Sequence, residues 1–184
     1  MTARWIALVA GLYLAAGGLL PSLAWGQSDS KGPPRLDVNP IGKVLTVAGI
    51  AHIEHPATIL VQANLPTSGN APTKVGDLVY RGDVIETGAD GAMSITFADG
   101  TSFNVSSNAR MEVNDFVYDP NGHSNSSLMS LTKGTFTFIA GNVAHTGDMK
   151  VDTPVGTMGI RGTAPRVQIL DDGTVKFSTL VEQK

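Results

Sequence analysis

The stretch from Asp148 to Val167 constrains the fold of this chain more than any other segment. Pro154 fixes its own φ angle and pushes Thr153 toward an extended conformation. Glycines, which let the backbone turn or pass close to another segment, recur at every third residue, at Gly156, Gly159 and Gly162. These restrictions predict short extended segments that are joined by tight turns.

One long side chain, Arg161, lies between the apolar Ile160 and the bare backbone of Gly162. Its guanidinium could fold over the chain and donate to carbonyls or to a carboxylate. The sequence therefore predicts a structural motif made of Thr153-Pro154 and Gly159-Ile160-Arg161-Gly162-Thr163, with Arg161 as its staple. The alternative is that Arg161 reaches outward to a partner.

Two alternating segments predict β-hairpins. In the first, Met93, Ile95 and Phe97 alternate with polar residues, Asp99-Gly100 interrupts, and Phe103 and Val105 resume the pattern. A two-residue loop would put the two apolar sets on opposite faces of the sheet. We therefore expect a three-residue loop, with Gly100 in the left-handed conformation and Ile95 opposite Phe103.

The second hairpin follows from the same argument near the end of the chain. Val167 and Ile169 lead into Asp171-Asp172-Gly173, and Val175 and Phe177 follow. A three-residue loop pairs Ile169 with Val175 and Val167 with Phe177. The phenylalanines alternate with polar residues, which favours core packing for all six: Phe97, Phe103, Phe116, Phe136, Phe138 and Phe177.

Other short strands and turns occur along the rest of the chain. Each Gly-Asp pair, at Gly76-Asp77 and Gly82-Asp83, is expected to form a turn before a short strand. The remaining strands are expected at Lys43 to Val47, Ala51 to Val61, Met111 to Val117, Leu128 to Leu131 and Phe136 to Ile139, with turns at Asp119 to Gly122 and Lys133-Gly134. Many short strands without a long helical period predict an all-β fold, as a sandwich, barrel or solenoid, and no fixed-period repeat chooses among the three.

The N-terminus has the pattern of a targeting segment. Arg4 is followed by an apolar run from Trp5 to Leu20 and by the small residues of Ala24-Trp25-Gly26. We expect a cleaved signal peptide at 1–26, a disordered linker at 27–40 and one domain at 41–184. The alternative is an uncleaved membrane anchor, because the run is only slightly shorter than a bilayer span.

Composition excludes several functions. Without Arg4, 12 of the 13 basic residues remain against 16 acidic ones, and no basic run is present that could follow a phosphate backbone, so nucleic acid is not an expected partner. There is no cysteine, so burial must stabilise the fold without disulfides. Both tryptophans lie in the predicted signal peptide, which argues against a sugar-binding surface.

Few residues suggest catalysis or metal binding. Of His52, Glu54 and His55, only the first two share a face of a strand, which is fewer ligands than zinc requires. Asp77 and Asp83 resemble paired carboxylates, but an Asp after Gly is more often a turn former. We therefore expect no catalytic residue, metal, cofactor or small-molecule substrate.

Several blocks, in this order and spacing, give the chain a resemblance to the FecR-type domain, the periplasmic sensor domain of the ferric-citrate regulator family. The resemblance covers about Lys43 to Val167. It rests on Val75-Gly76-Asp77, Arg81 to Gly88 with Gly82, Asp83 and Gly88, Ala92 to Phe103 with Asp99-Gly100, Leu131 to Phe136, Val151 to Pro154 and Gly159 to Thr163.

This resemblance implies a twisted, solenoid-like stack of short strands that takes part in cell-surface signalling. The full-length regulators carry a cytoplasmic anti-sigma segment, for which nothing remains before Trp5, so we expect an exported stand-alone member in the periplasm. Three functions remain open: an interaction or scaffold module of the envelope, an accessory in transmembrane signalling, and, third, an enzyme acting on an envelope polymer. The expected partner is an envelope protein such as a membrane sensor or an outer-membrane receptor, met by strand addition.

Overall fold

The structure, a computed structural model, describes residues 39–62, 71–162 and 165–179. The predicted signal peptide, most of the predicted linker and Thr163 lie outside the described residues. The strands are β1 Gly42–Ala48, β2 Ala51–Glu54, β3 Leu78–Val79, β4 Val84–Thr87, β5 Ala92–Phe97, β6 Ser102–Val105, β7 Arg110–Val117, β8 Asn125–Ile139, β9 Gly147–Thr153, β10 Gly156–Ile160, β11 Pro165–Ile169 and β12 Val175–Thr179. The helices are α1 Ala57–Gln62 and α2 Val143–Thr146.

These elements confirm the all-β class, and the strands form two sheets that share β8. Sheet A has the order β3-β1-β5-β6-β8-β11-β12, and sheet B has the order β2-β4-β7-β8-β9-β10. All neighbours are antiparallel except β8 and β9. Neither described helix is long or apolar enough to cross a membrane.

Strand β8 passes from one sheet to the other at Gly134. Its first half pairs with β7 and β9, and its second half pairs with β6 and β11. Gly134 has a φ of 101°, and a Cβ there would lie 2.5 Å from the Cα of Ala109. The prediction of two strands separated by a turn at Lys133-Gly134 was therefore wrong: a glycine in this conformation bends the strand without ending its ladder.

A shared apolar core lies between the two sheets. Phe103, Phe136 and Phe138 are fully buried on sheet A. The ring of Phe97 on β5 stacks on that of Phe116 on β7, with centroids 5.5 Å apart, so side chains of sheet A and sheet B meet directly. The 12 described strands nearly close into a barrel, and this contact crosses its interior.

Both predicted hairpins are confirmed in register. Ile95 lies opposite Phe103, and Val167 lies opposite Phe177. Gly100 has a φ of 86°, the left-handed conformation that the three-residue loop requires. The parity of the apolar residues was therefore sufficient to fix both loops.

The predicted strand from Ala51 to Val61 is correct only as far as Glu54. Ala57–Gln62 forms helix α1 instead. The carbonyl of Pro56 accepts hydrogen bonds from the N–H groups of Ile59 (2.9 Å) and Leu60 (3.1 Å). Pro56 thus begins a helical turn, and this local chemistry outweighs the β propensity of the residues that follow.

Replacing Gly100 tests the loop conformation. Gly100→Val should lower the free energy of unfolding by about 1 kcal/mol or more, because a β-branched residue is strained at positive φ. No atom lies within 4 Å of the added Cβ, so the cost is that of the backbone alone. Urea unfolding measures it, and Gly100→Asn, which tolerates this conformation, should cost less. Equal stability of Gly100→Val and the wild type would exclude the left-handed loop.

Candidate functional site

The outer edge of sheet A, formed by β12, is the best candidate for a docking site. Within the described part of the chain, β12 pairs with β11 alone. Val167 on β11 is fully buried, whereas its neighbour Phe177 on β12 is 48% exposed. The prediction that Phe177 is a core residue was therefore wrong. Phe177 lies on the same face of sheet A as Val167, but the cover that buries Val167 does not extend over Phe177.

The hydrogen bonds of the β11–β12 loop show which backbone groups face outward. The N–H of Leu170 donates to the carbonyl of Thr174 (2.9 Å), so this pair is a hydrogen-bonded one. Hydrogen-bonded and non-hydrogen-bonded pairs alternate along an antiparallel ladder. The backbone groups of Lys176 and Ser178 are therefore hydrogen-bonded to β11. The N–H and C=O groups of Val175, Phe177 and Thr179 point away from it.

The other described sheet edges offer less. Strand β3 has 2 residues and β2 has 4, with α1 shortly after it. Strand β10 has 5 residues, but two of them, Gly156 and Gly159, contribute no side chain. An edge strand of regular length with unpaired backbone groups and an exposed apolar side chain is a template for another strand. Of these edges, β12 fits that description best.

A second cluster joins the end of β2 to the turn before β4. His55 Nδ1 lies 2.8 Å from Asp83 Oδ1, and the ring of His55 meets that of Tyr80 edge to face at 5.5 Å. Asp83 is fully buried, and its Oδ2 accepts the backbone N–H of Tyr80 (2.8 Å). His52 and Glu54 lie apart from this cluster on β2, where His52 contacts the carbonyl of Ala71.

Electrostatics at this cluster centre on Asp83. Burial raises the pKa of the Asp83 carboxyl, and the contacts with His55 and with the Tyr80 amide oppose that rise. Burial, and then the charge of Asp83, raise the pKa of Tyr80. The Asp83 carboxylate accepts the Tyr80 N–H in the turn before β4, and Asp77 likewise accepts the N–H of Lys74. No local pattern predicts the histidine partner, which lies 28 residues away.

Removing the imidazole should destabilise the domain in a pH-dependent way. His55→Phe keeps an aromatic ring against Tyr80 but leaves a buried carboxylate short of a partner, at a cost of about 1–3 kcal/mol at pH 7. A carboxyl with a raised folded pKa stabilises the fold most below its unfolded pKa and loses that contribution as the pH rises through the folded pKa. The loss in His55→Phe should therefore shrink in acid. A loss independent of pH in urea titrations would argue against this role of Asp83.

The predicted motif around Arg161 is only partly brought together. Thr153 and Pro154 form the turn between β9 and β10, where the Thr153 hydroxyl donates to the carbonyl of Gly156 (2.8 Å). Gly159 and Arg161 are exposed, and a Cβ at Gly162 would lie 2.9 Å from the His145 ring. The staple role of Arg161 stays a prediction, and its exposure favours the outward-reaching alternative.

The remaining motif glycines and aspartates lie in turns. Gly82 packs on the Pro56 ring, and Gly88 packs on Ile50. The Asp99 carboxylate, which is 2% exposed, accepts the N–H and hydroxyl of Thr101 and the N–H of Val143. These residues shape the fold, and they do not converge on a common cleft.

Comparison with known proteins adds a family match. A family model described as FecR protein matches residues 83–181, which is more than half of the chain. The match covers β4 to β12, so both the free edge and Asp83 lie within it. No curated protein and no solved structure matches the chain.

Proposed function

Because the chain belongs to the FecR protein family, we propose that it is an exported regulatory protein of the bacterial envelope that works by binding another protein on the free edge of β12. FecR proteins act in envelope signalling with membrane partners, and their FecR domain is periplasmic. The proposed arrangement is a signal peptide at 1–26, a linker at 27–40 and the binding domain at 41–184.

The observation that carries this proposal is the outer edge of β12, which no other described strand pairs, with its half-exposed phenylalanine. An incoming strand would bond to the outward backbone groups of Val175, Phe177 and Thr179, which supplies affinity independent of sequence. Its apolar side chains would cover the exposed part of Phe177. Arg166 and Lys176 lie on β11 and β12, which carry no acidic residue, so a partner strand with acidic residues on its outer face fits best.

The His55–Asp83 pair supports a structural rather than a catalytic role. Both oxygens of the Asp83 carboxylate already hold a partner, His55 on one and the Tyr80 amide on the other. The pair fixes the segment after β2 against the turn before β4. We therefore propose no catalysis for this protein, in keeping with its membership of a regulatory family.

A pulldown from an envelope extract tests the proposal with the exported protein as bait. Phe177→Glu should abolish capture of the partner. Leu78→Glu should not, although Leu78, at the opposite edge of sheet A, is a similarly exposed apolar residue (43% against 48%). Thr179→Pro provides a second test. It removes an outward N–H that is not bonded to β11, so it should weaken capture while thermal unfolding stays unchanged.

The identity of the captured protein separates the finer functions. A membrane sensor or an outer-membrane receptor would indicate a signalling accessory, and another envelope protein would indicate a scaffold. Capture that survives both Phe177→Glu and Thr179→Pro would overturn the assignment of β12 as the docking edge.

A further inference from the structure

We propose that, in the absence of its partner, β12 pairs with β12 of a second copy of this chain, antiparallel and centred on Phe177. The inference rests on the proposed role of β12 as a docking edge, and it adds a second occupant for that edge. It would join sheet A of one copy to sheet A of the other around a two-fold axis, as an isologous interface does.

The backbone of β12 is self-complementary under this symmetry. A two-fold axis at Phe177 places Phe177 opposite Phe177 and Val175 opposite Thr179. These are the three residues whose N–H and C=O groups point away from β11. Every outward backbone group of the strand therefore meets a donor or an acceptor of the second copy, with no bulge or shift of register.

The side chains are compatible with the same register. Lys176 lies opposite Ser178 of the second copy, so the two lysines never face each other across the axis. Those positions form non-hydrogen-bonded pairs, in which opposing side chains come closest. The two Phe177 rings lie side by side on the core face, where each covers part of the surface that the other leaves exposed.

The small size of the contact sets its strength. A pair of 5-residue strands buries less surface than the roughly 1,200 Å² typical of stable complexes. Self-pairing should therefore be weak and reversible, with dissociation in the micromolar range or above. A partner strand that buries more surface would displace the second copy.

Sedimentation velocity of the purified exported protein, over a wide concentration range, tests the inference without any partner. The wild type should show reversible, concentration-dependent dimerisation. Ser178→Glu should tighten it about tenfold at low salt, because each copy gains a carboxylate opposite Lys176 of the other. Ser178→Lys should weaken it by a similar factor, and 0.5 M salt should remove most of both effects.

Leu78→Glu is the control and should leave the association unchanged. Equal effects of Ser178→Glu and Ser178→Lys would overturn the proposed register. A protein that stays monomeric at the highest concentration would overturn self-pairing altogether. The pulldown is read separately: loss of the partner in Phe177→Glu together with a monomeric wild type would retain the proposed function and reject this inference alone.

Discussion

Gly134→Val is expected to lower the free energy of unfolding by at least about 4 kcal/mol, or to prevent folding altogether. The new side chain would adopt a φ of 101°, which is strained for a β-branched residue, and its Cβ would overlap Ala109, which is fully buried. Ala109 is held in place by the hydrogen bond that its N–H donates to the Thr87 hydroxyl. Circular dichroism and urea unfolding of the purified variant measure the loss.

Gly100→Val is the matched control for this variant. Its φ of 86° is similar, but the added Cβ meets nothing within 4 Å. The difference between the two variants therefore isolates the clash at the bend of β8 from the strain of the backbone. If both variants lost the same free energy, the close approach of Gly134 to Ala109 would not contribute to the fold.

Asp99→Ala is expected to cost about 3–5 kcal/mol. The carboxylate accepts hydrogen bonds from the Thr101 N–H (2.9 Å), the Thr101 hydroxyl (2.7 Å) and the N–H of Val143 (3.1 Å). Because the site is 2% exposed, water cannot replace the lost acceptor, and buried donors are left unpaired. Thermal unfolding should show the loss, together with weaker hydrogen-exchange protection of Val143.

The second hairpin supplies an internal control for this prediction. Asp172 occupies the equivalent loop position and accepts the N–H of Thr174 (2.8 Å), but it is exposed. Asp172→Ala should leave thermal unfolding almost unchanged, since water can solvate the freed N–H. Equal losses for the two variants would show that burial and the contact with α2 are not what makes Asp99 important.

Local patterns predicted the hairpins and missed the joint between the sheets. The loops at Gly100 and Gly173 follow from residues a few positions apart, because only one register puts both apolar sets on the same face. Gly134 gives the same local signal as a turn. Whether a glycine ends a strand or bends it depends on the strands beside it, here β6 and β7, which come earlier in the chain.

The two candidate sites were missed for a related reason. The contact of His55 with Asp83 joins residues that share no motif, and its formation depends on β2 pairing with β4. Phe177 has the pattern of a core residue and does lie on the core face. Its exposure depends on where the opposite sheet ends, which no periodicity in β12 records.

The position of β8 has a consequence for how the molecule opens. Four strands pair with β8, two that precede it and two that follow it, whereas β12 has one described neighbour. Amides of β8 should therefore exchange with solvent deuterium only when the whole domain unfolds, and those of β12 should exchange through local fraying. Since fraying of β12 does not require β8 to release any neighbour, the edge strand can detach and return many times within the lifetime of one folded core.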